Sequence, residues 1–398
     1  MTLSNQYDKA SGYVKFYYND TNFYLVGESA GAATSKQANQ LSGVRARETF
    51  SLWEGGEIVA GFDLDKTQLT NSQINHRTGV YREWNFPDQT VFSPYLAVSQ
   101  YFGSEDGFHL TPSAGIRYYR HNVFDDKASP QAGLVAGYGH TDLNVNYTRG
   151  VNYPSPVVLQ NFLTNTSLPA YFNSREIRPE IVDHYEIGLT HTWPDLAVLS
   201  ASYFYDDGKD RTRAYMFGAA PDPSFFNSTT ARYKIKGFEL SGSVTPVKDL
   251  KLFAGATWMK VRATGDDGIE RDRMPYTPDF TLQAGLNWRF LEDFTINLDY
   301  QHLEGVYDST LGRTSNPGAP GSNFPALTKA NKLDDINLVN LRLGYNFECE
   351  SINLNEGEFF ISVDNLFNAD YAYTKDGNNI PYKMPGTTFM AGFDLKFN

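Results

Sequence analysis

The run that closes the chain, Thr388 to Phe397, alternates without a break. Phe389, Ala391, Phe393, Leu395 and Phe397 share one parity, and Thr388, Met390, Gly392, Asp394 and Lys396 share the other. Successive side chains of a strand point to opposite faces, so a period of two gives one apolar and one mostly polar face. The pattern recurs far upstream. Phe280, Leu282, Ala284, Leu286, Trp288 and Phe290 alternate with Thr281, Gln283, Gly285, Asn287 and Arg289. Leu143, Val145 and Tyr147 alternate with Asn144, Asn146 and Thr148. A chain built from such segments folds as antiparallel sheet with two chemically distinct faces. No stretch approaches the roughly 18 uninterrupted apolar residues of a membrane helix.

Composition narrows the kind of sheet. Aromatic residues make up 15% of the chain, with 28 Phe and 26 Tyr, yet mean hydropathy is −0.45. That is too polar for a bundle of membrane helices and unusually aromatic for a soluble sandwich. It suits a transmembrane β-barrel, with a lipid-facing apolar band, aromatic girdles and a polar lumen. The single cysteine, Cys349, excludes an intramolecular disulfide framework and a multi-cysteine metal site. The net charge of −12, with no Lys/Arg cluster interleaved with aromatics, argues against a nucleic-acid partner. The first twenty residues hold no basic segment followed by an apolar run, so no secretory signal is read there. The chain is therefore expected to be the C-terminal part of a longer product.

In order along the chain, short strands are joined alternately by tight turns and long loops, the asymmetry of outer-membrane barrels. A strand from Gly12 to Asn19 is expected to turn at Asp20-Thr21 into a second, and a small polar loop to follow as far as Gln40. Tight turns are read at Glu54-Gly55-Gly56, Gly103 to Asp106, Gly139 to Asp142 and Leu291-Glu292-Asp293. Longer segments are read as loops at Val151 to Glu180, Asp206 to Arg232 and Glu304 to Lys332. The alternation gives about 17 strands.

Two stretches carry more than a pattern. Ile177, Arg178, Pro179 and Glu180 precede Tyr185, Glu186, Ile187 and Gly188. Near the end, Val363, Asn365, Leu366, Phe367, Asn368 and Tyr371 are followed by Pro385, Gly386 and a final Phe397. These runs resemble the mid-barrel and closing motifs of TonB-dependent outer-membrane receptors. Tyr233 to Val244 and Met274 to Phe290 are similar to two further strands of that family. The resemblance covers Ile177 to the end, and departs from the pattern where Asn398 follows Phe397.

The resemblance implies a closed barrel of about 22 strands with a plugged lumen, of which residues 1–398 supply one barrel domain without the plug and first strands. It implies active uptake of a scarce nutrient at the outer membrane. The implied partners are membrane lipid, a small-molecule nutrient chelate, the inner-membrane TonB complex through a missing N-terminal segment, and the barrel assembly machinery. A ferric siderophore is the expected substrate class, with cobalamin, haem and saccharide as others; no cofactor is expected. A passive porin-like channel is the alternative, accounting for the alternation but not the motifs.

Aromatic and Arg side chains anchor ligands at recognition surfaces, and suit an anionic chelate through cation–π contact and charge attraction. Tyr153, Phe162, Tyr171 and Phe172 in one long segment, and Arg211, Arg213, Tyr215 and Phe217 in the next, are the candidate ligand contacts. No Gly-x-Ser-x-Gly elbow appears. His184 and Glu186 share a strand face and read as lumen lining. Asp266-Asp267-Gly268 lacks the spacing of a calcium loop and reads as a solvated tip.

Overall fold

The computed structural model describes residues 1–26, 33–104, 106–156, 177–217, 224–264, 270–308, 331–349, 354–375 and 380–397, with some side chains at segment ends left aside. Among these residues the fold is antiparallel β. The strands are β1 (Thr2–Tyr7), β2 (Ala10–Val26), β3 (Ala33–Trp53), β4 (Gly56–Asn75), β5 (Tyr81–Asn85), β6 (Gln89–Gln100), β7 (Phe102–Gly103), β8 (Phe108–His121), β9 (Lys127–Tyr138), β10 (Thr141–Asn152) and β11 (Glu180–Trp193). They continue as β12 (Ala197–Phe217), β13 (Ser224–Val247), β14 (Leu250–Thr264), β15 (Glu270–Arg271), β16 (Phe280–Phe290), β17 (Phe294–Glu304), β18 (Ile336–Cys349), β19 (Leu354–Asp364), β20 (Ala372–Lys375), β21 (Pro381–Lys383) and β22 (Thr388–Phe397). Contacts divide the chain into two units. The first is Met1–Ala136, Val145–Tyr185 and Asp207–Arg232; the second is Gly137–Asn144, Glu186–Asp206 and Tyr233–Asn398.

In the second unit the alternation becomes continuous rows across strands. Leu252, Leu286, Leu298, Leu341, Val363 and Phe389 are register partners from β14 to β22. One level along, Phe290, Phe294, Tyr345, Phe359 and Phe393 form a row of five aromatics. Ring centroids are 5.7 Å apart for Phe290–Phe294, 5.0 Å for Phe294–Tyr345 and 5.1 Å for Phe359–Phe393. Near the other end of the same face, Trp258 lies 6.0 Å from Phe238 and 5.1 Å from Phe280. Phe280 and Phe290 are ten positions apart on β16, which is about 33 Å of strand. At a tilt of about 40° that spans about 25 Å, the height of a barrel's apolar band.

The first unit repeats the division of faces. Phe16, Val44, Leu64 and Phe92 are partners on the apolar face. Tyr13, Arg47, Gly61, Tyr95 and Arg117 are partners on the polar face. On polar faces an aromatic ring recurrently lies across a glycine of the next strand: Tyr17 over Gly43, Tyr95 over Gly61, Phe253 over Gly285 and Phe360 over Gly392. A Cβ at any of these glycines would run into the ring, so the missing side chain lets the aromatic pack flat against the sheet.

Several sequence readings change. The chain does not turn at Asp20-Thr21: β2 runs straight through, with Asp20 opposite Gln40 and Thr21 opposite Asn39. The segment expected as a polar loop up to Gln40 is strand from Ala33, paired on its other side with the upper half of β4. Much of Asp206 to Arg232 is likewise strand, in β12 and β13. The stretch from Ala33 to Gln40 is polar on both faces, which fits sheet standing in water and leaves no alternation to read. In the closing motif the strand ends at Asp364, because Asn365 takes a left-handed conformation, φ 51°. Sixteen described strands have ten residues or more. β1, missed in the sequence, offsets the false division of β2 in the expected total.

A charge at mid-band on the apolar face should be costly, and one on the polar face should not. Leu286→Arg is expected to destabilise the protein by about 2–4 kcal/mol and Gln283→Arg by less than about 1 kcal/mol, measured by denaturant unfolding in phospholipid vesicles. Equal costs would mean the faces are assigned wrongly.

Candidate functional site

The polar face of the first unit carries a dense network of Arg, Asp and Tyr. Arg117 pairs with Asp63 at 2.5 Å and lies 4.3 Å from the Tyr95 ring centroid and 5.9 Å from that of Tyr119. Arg45 stands 5.2 Å from the ring centroid of Tyr17, whose hydroxyl donates to Asp65. Strand parity places these side chains on one wall, and hydrogen bonding holds the aromatic faces beside cations.

Above this wall, at the long-loop end, sits an aromatic cluster. His121 closes β8 and is 6% exposed. Its ring is 4.4 Å from Tyr153 and 5.0 Å from Phe124, and Tyr119 is 6.1 Å from Tyr153. The Tyr153 hydroxyl donates to the carbonyl of Asp125 at 3.2 Å. Burial first, and the carboxylate of Asp126 second, push the Tyr153 phenol well above its ordinary value. Tyr153 is therefore a neutral hydrogen-bonding aromatic at any physiological pH.

In the second unit three loops meet on one carboxylate. Asp308 is fully buried. It accepts from the hydroxyls of Tyr276 at 2.8 Å and Thr374 at 2.7 Å, and from the backbone N–H of Lys375 at 2.5 Å. Asn331 donates to its carbonyl at 3.0 Å. The half-buried Arg273 lies 4.2 Å from the Tyr307 ring centroid and 3.3 Å from Asp279. Burial raises the Asp279 carboxyl above its usual range, and Arg273 offsets part of that. A buried carboxylate is tolerable because several donors replace its water.

The closing motif proves to be a clamp. Asn365 is 4% exposed; its side chain accepts from the N–H of Ala369 at 2.8 Å and donates to the carbonyls of Ala369 at 2.9 Å and Pro385 at 3.4 Å. Asn368, also left-handed, accepts from the N–H of Thr387 at 3.1 Å, and the Thr387 hydroxyl returns a bond to the Asn365 carbonyl at 2.8 Å. Gly386 is needed because a Cβ there would strike the Asn368 side chain. Leu366 donates its N–H to Val339 at 2.8 Å, while Phe367 is 75% exposed. Phe397 pairs in backbone with Leu354. In the mid-chain motif, Arg178 is exposed and Pro179 buried. Glu180 accepts from Asn152 at 3.2 Å, the Tyr185 ring lies tilted 5.1 Å from that of Tyr147, and Gly188 makes room for Asn144. Glu186 lies on the face opposite Tyr185 and Ile187.

Of the expected ligand contacts, Tyr153 sits in the aromatic cluster described above. Phe162, Tyr171 and Phe172 lie outside the described residues. Arg211 is partly exposed on β12, not on a loop. Arg213, Tyr215 and Phe217 also belong to β12, with side chains outside the described ones. Asp266, Asp267 and Gly268 lie outside the described residues too. Among the described residues, no group of three or more His, Cys, Asp or Glu is placed to share a metal ion. Sequence reasoning missed His121, Arg117 and Asp308; Arg117 and Asp308 find partners in distant segments, and His121 joins its own turn to the distant Tyr153.

The family described as TonB dependent receptor-like, beta-barrel matches residues 2–366. No curated protein matches the chain in sequence. Among solved structures, the copper transporter OprC superposes with a TM-score of 0.72 at 15% identity, over 100% of this chain and 64% of its own. FpvA of P. aeruginosa, solved with a heterologous pyoverdine–iron complex, gives 0.68 at 14% identity, over 98% and 55%. The ferric-catecholate import receptor Fiu of E. coli K12 gives 0.66 at 13% identity, over 98% and 62%. The chain thus spans less than two thirds of these structures' length, and at such identities the likeness is one of fold.

Removing the carboxylate beneath the three loops should loosen them together. Asp308→Ala removes the shared acceptor of three donors, the buried N–H of Lys375 among them, and is expected to lower local stability by about 3 kcal/mol, seen as faster amide exchange at Tyr276, Asn331 and Lys375 with the strands unaffected. Unchanged exchange at those amides would show the loops to be held otherwise.

Proposed function

We propose, from the premise that this chain belongs to the TonB dependent receptor-like β-barrel family, that it is the barrel portion of an outer-membrane receptor for active uptake of a ferric siderophore. The chain is an outer-membrane β-barrel protein, and residues 1–398 are read as one barrel domain. The observation that carries the substrate reading is the juxtaposition of Arg117, Tyr95 and Tyr119 on the polar wall with Tyr153 above it. Cations held against aromatic faces suit an anionic, aromatic-rich chelate. The pyoverdine–iron complex of FpvA and the ferric-catecholate import of Fiu support the same class. Cobalamin and haem offer fewer negative charges, and a neutral saccharide offers none, for the arginines to meet.

Tyr153, Phe162, Tyr171, Phe172, Arg211, Arg213, Tyr215 and Phe217 are proposed as the chelate-contacting set. Energy would reach the receptor from the inner-membrane TonB complex, through a segment preceding the residues described, and insertion would use the barrel assembly machinery. The family match stands against a passive porin.

The test is uptake of radiolabelled ferric catecholate, hydroxamate and citrate chelates by cells expressing the gene with its preceding coding sequence. Uptake of one class that stops when a protonophore collapses the proton gradient is expected. Uptake that survives the protonophore would replace the receptor with a passive channel. For the purified chain, Tyr153→Ala and Arg211→Ala are each expected to weaken chelate binding about tenfold, read by quenching of tryptophan fluorescence. Binding unchanged in both would remove this set from the site.

A further inference from the structure

We propose that His121 is an acid-released latch, holding three loops together at the long-loop end of the first unit only while its imidazole is neutral. The geometry is specific. The Nδ1 of His121 accepts two backbone N–H bonds, from Val123 at 3.0 Å and Phe124 at 3.2 Å. An accepting Nδ1 places the ring proton of the neutral form on Nε2. That atom is buried and has no hydrogen-bond partner. Protonation would put a third donor where two N–H groups already converge. The turn at Asn122 to Phe124 would have to let go.

What that turn holds gives the latch its reach. Asn122 accepts from the N–H of Thr90 at 2.8 Å and donates to the carbonyl of Asp88 at 2.8 Å, fastening the segment before β6. On the other side the His121 ring packs on Tyr153, whose hydroxyl is bound to Asp125. The buried Gln89 donates to the carbonyl of Pro154 at 3.3 Å. Three segments distant in sequence are thus tied through one turn, and that turn is tied to one ring.

The charged surroundings do not supply a compensating partner for an imidazolium. Asp126, the carboxylate that most favours the charged ring, accepts the backbone N–H of His121 at 3.2 Å and the Tyr118 hydroxyl at 2.8 Å. Asp125 is paired with Lys127 at 3.6 Å, and Asp88 with Lys66 at 2.9 Å. Asp65, two strands away in the same polar row, is bound by Tyr17. Arg117 adds positive charge on His121's own face four residues below, and the remaining neighbours, Tyr119 and Tyr153, are neutral phenols. Burial lowers the imidazole below its ordinary value, against the weaker pull of Asp126. The sign follows. Because the folded ring binds its proton less readily than the unfolded one, the latch's stability is intact above about pH 6.5 and is lost as pH falls through the folded value.

The latch does not depend on which chelate the receptor takes. It is tested by amide hydrogen exchange of the full chain in detergent at pH 7.5 and 5.0, corrected for the intrinsic pH dependence of exchange. Opening of Asn122 to Phe124 is expected to rise by up to about tenfold per pH unit below about 6.5, down to the folded value. His121→Asn keeps a non-titrating acceptor near the Nδ1 position and should abolish the rise; His121→Phe should leave the turn open at both pH values. Equal protection of the wild type at both pH values, or the same rise in His121→Asn, would overturn the latch. Should the variants fail to fold, the His121 ring resonance of the wild type decides. A midpoint coincident with loop opening supports the latch, and a ring that becomes protonated while the turn stays protected refutes it.

Discussion

Every backbone N–H and C=O that enters a bilayer must find its partner within the protein, since lipid offers none. The rest of this structure depends on that constraint. It forces strand next to strand in unbroken antiparallel register, as in the eleven successive pairs between β16 and β17. With the backbone committed, the side chains divide by parity alone, and only they can adapt one face to lipid and the other to polar surroundings. The leucine row from Leu252 to Phe389 and the aromatic row from Phe290 to Phe393 follow from uniform register carried over several strands. A one-residue slip anywhere would have turned such a row to the other face.

Where the ladders end, the same demand is met by side chains. Three places among the described residues, one in the first unit and two in the second, each centre on a buried polar group that substitutes for strand pairing. Asp308 collects donors from two loops besides its own, Asn365 bridges the end of β19 to the approach of β22, and His121 caps the turn beyond β8. They differ in what they tolerate. An asparagine using both ends of its amide has no proton to gain or lose. An imidazole that accepts through one nitrogen does, which is why pH enters at His121 and not at Asn365.

The sequence showed the sheet wherever one face was apolar and the other was not. Phe280 to Phe290 and Thr388 to Phe397 are strands within the bounds the alternation set. It misled where the strands continue beyond the apolar band. Thr34 to Gln40 and the upper half of β4 are polar on both sides, and nothing in their order distinguishes paired strand in water from loop. Asp20-Thr21 looked like a turn for the same reason, although both residues sit in mid-ladder. The site was less legible still. Tyr153 could be picked out as an aromatic on a long segment, but Arg117 and Asp308 acquire meaning from partners dozens of positions away, and His121 from a turn whose packing against Tyr153 no local pattern announces.

Family and substrate were unequally readable for a related reason. The residues that made the family recognisable, Asn365, Asn368, Pro385 and Gly386, are engaged in fastening the last strand to its neighbour. Their bonds are to backbone groups within this one connection. Such a clamp serves any barrel of this construction, whatever crosses it, and so it carries no information about a ligand. The contacts proposed for the chelate lie instead on strands and loops beyond the apolar band, where alternation imposes little. Freedom from the demand for an apolar face is what would allow those residues to follow a substrate. It is also what removes them from any pattern that could announce the substrate from sequence.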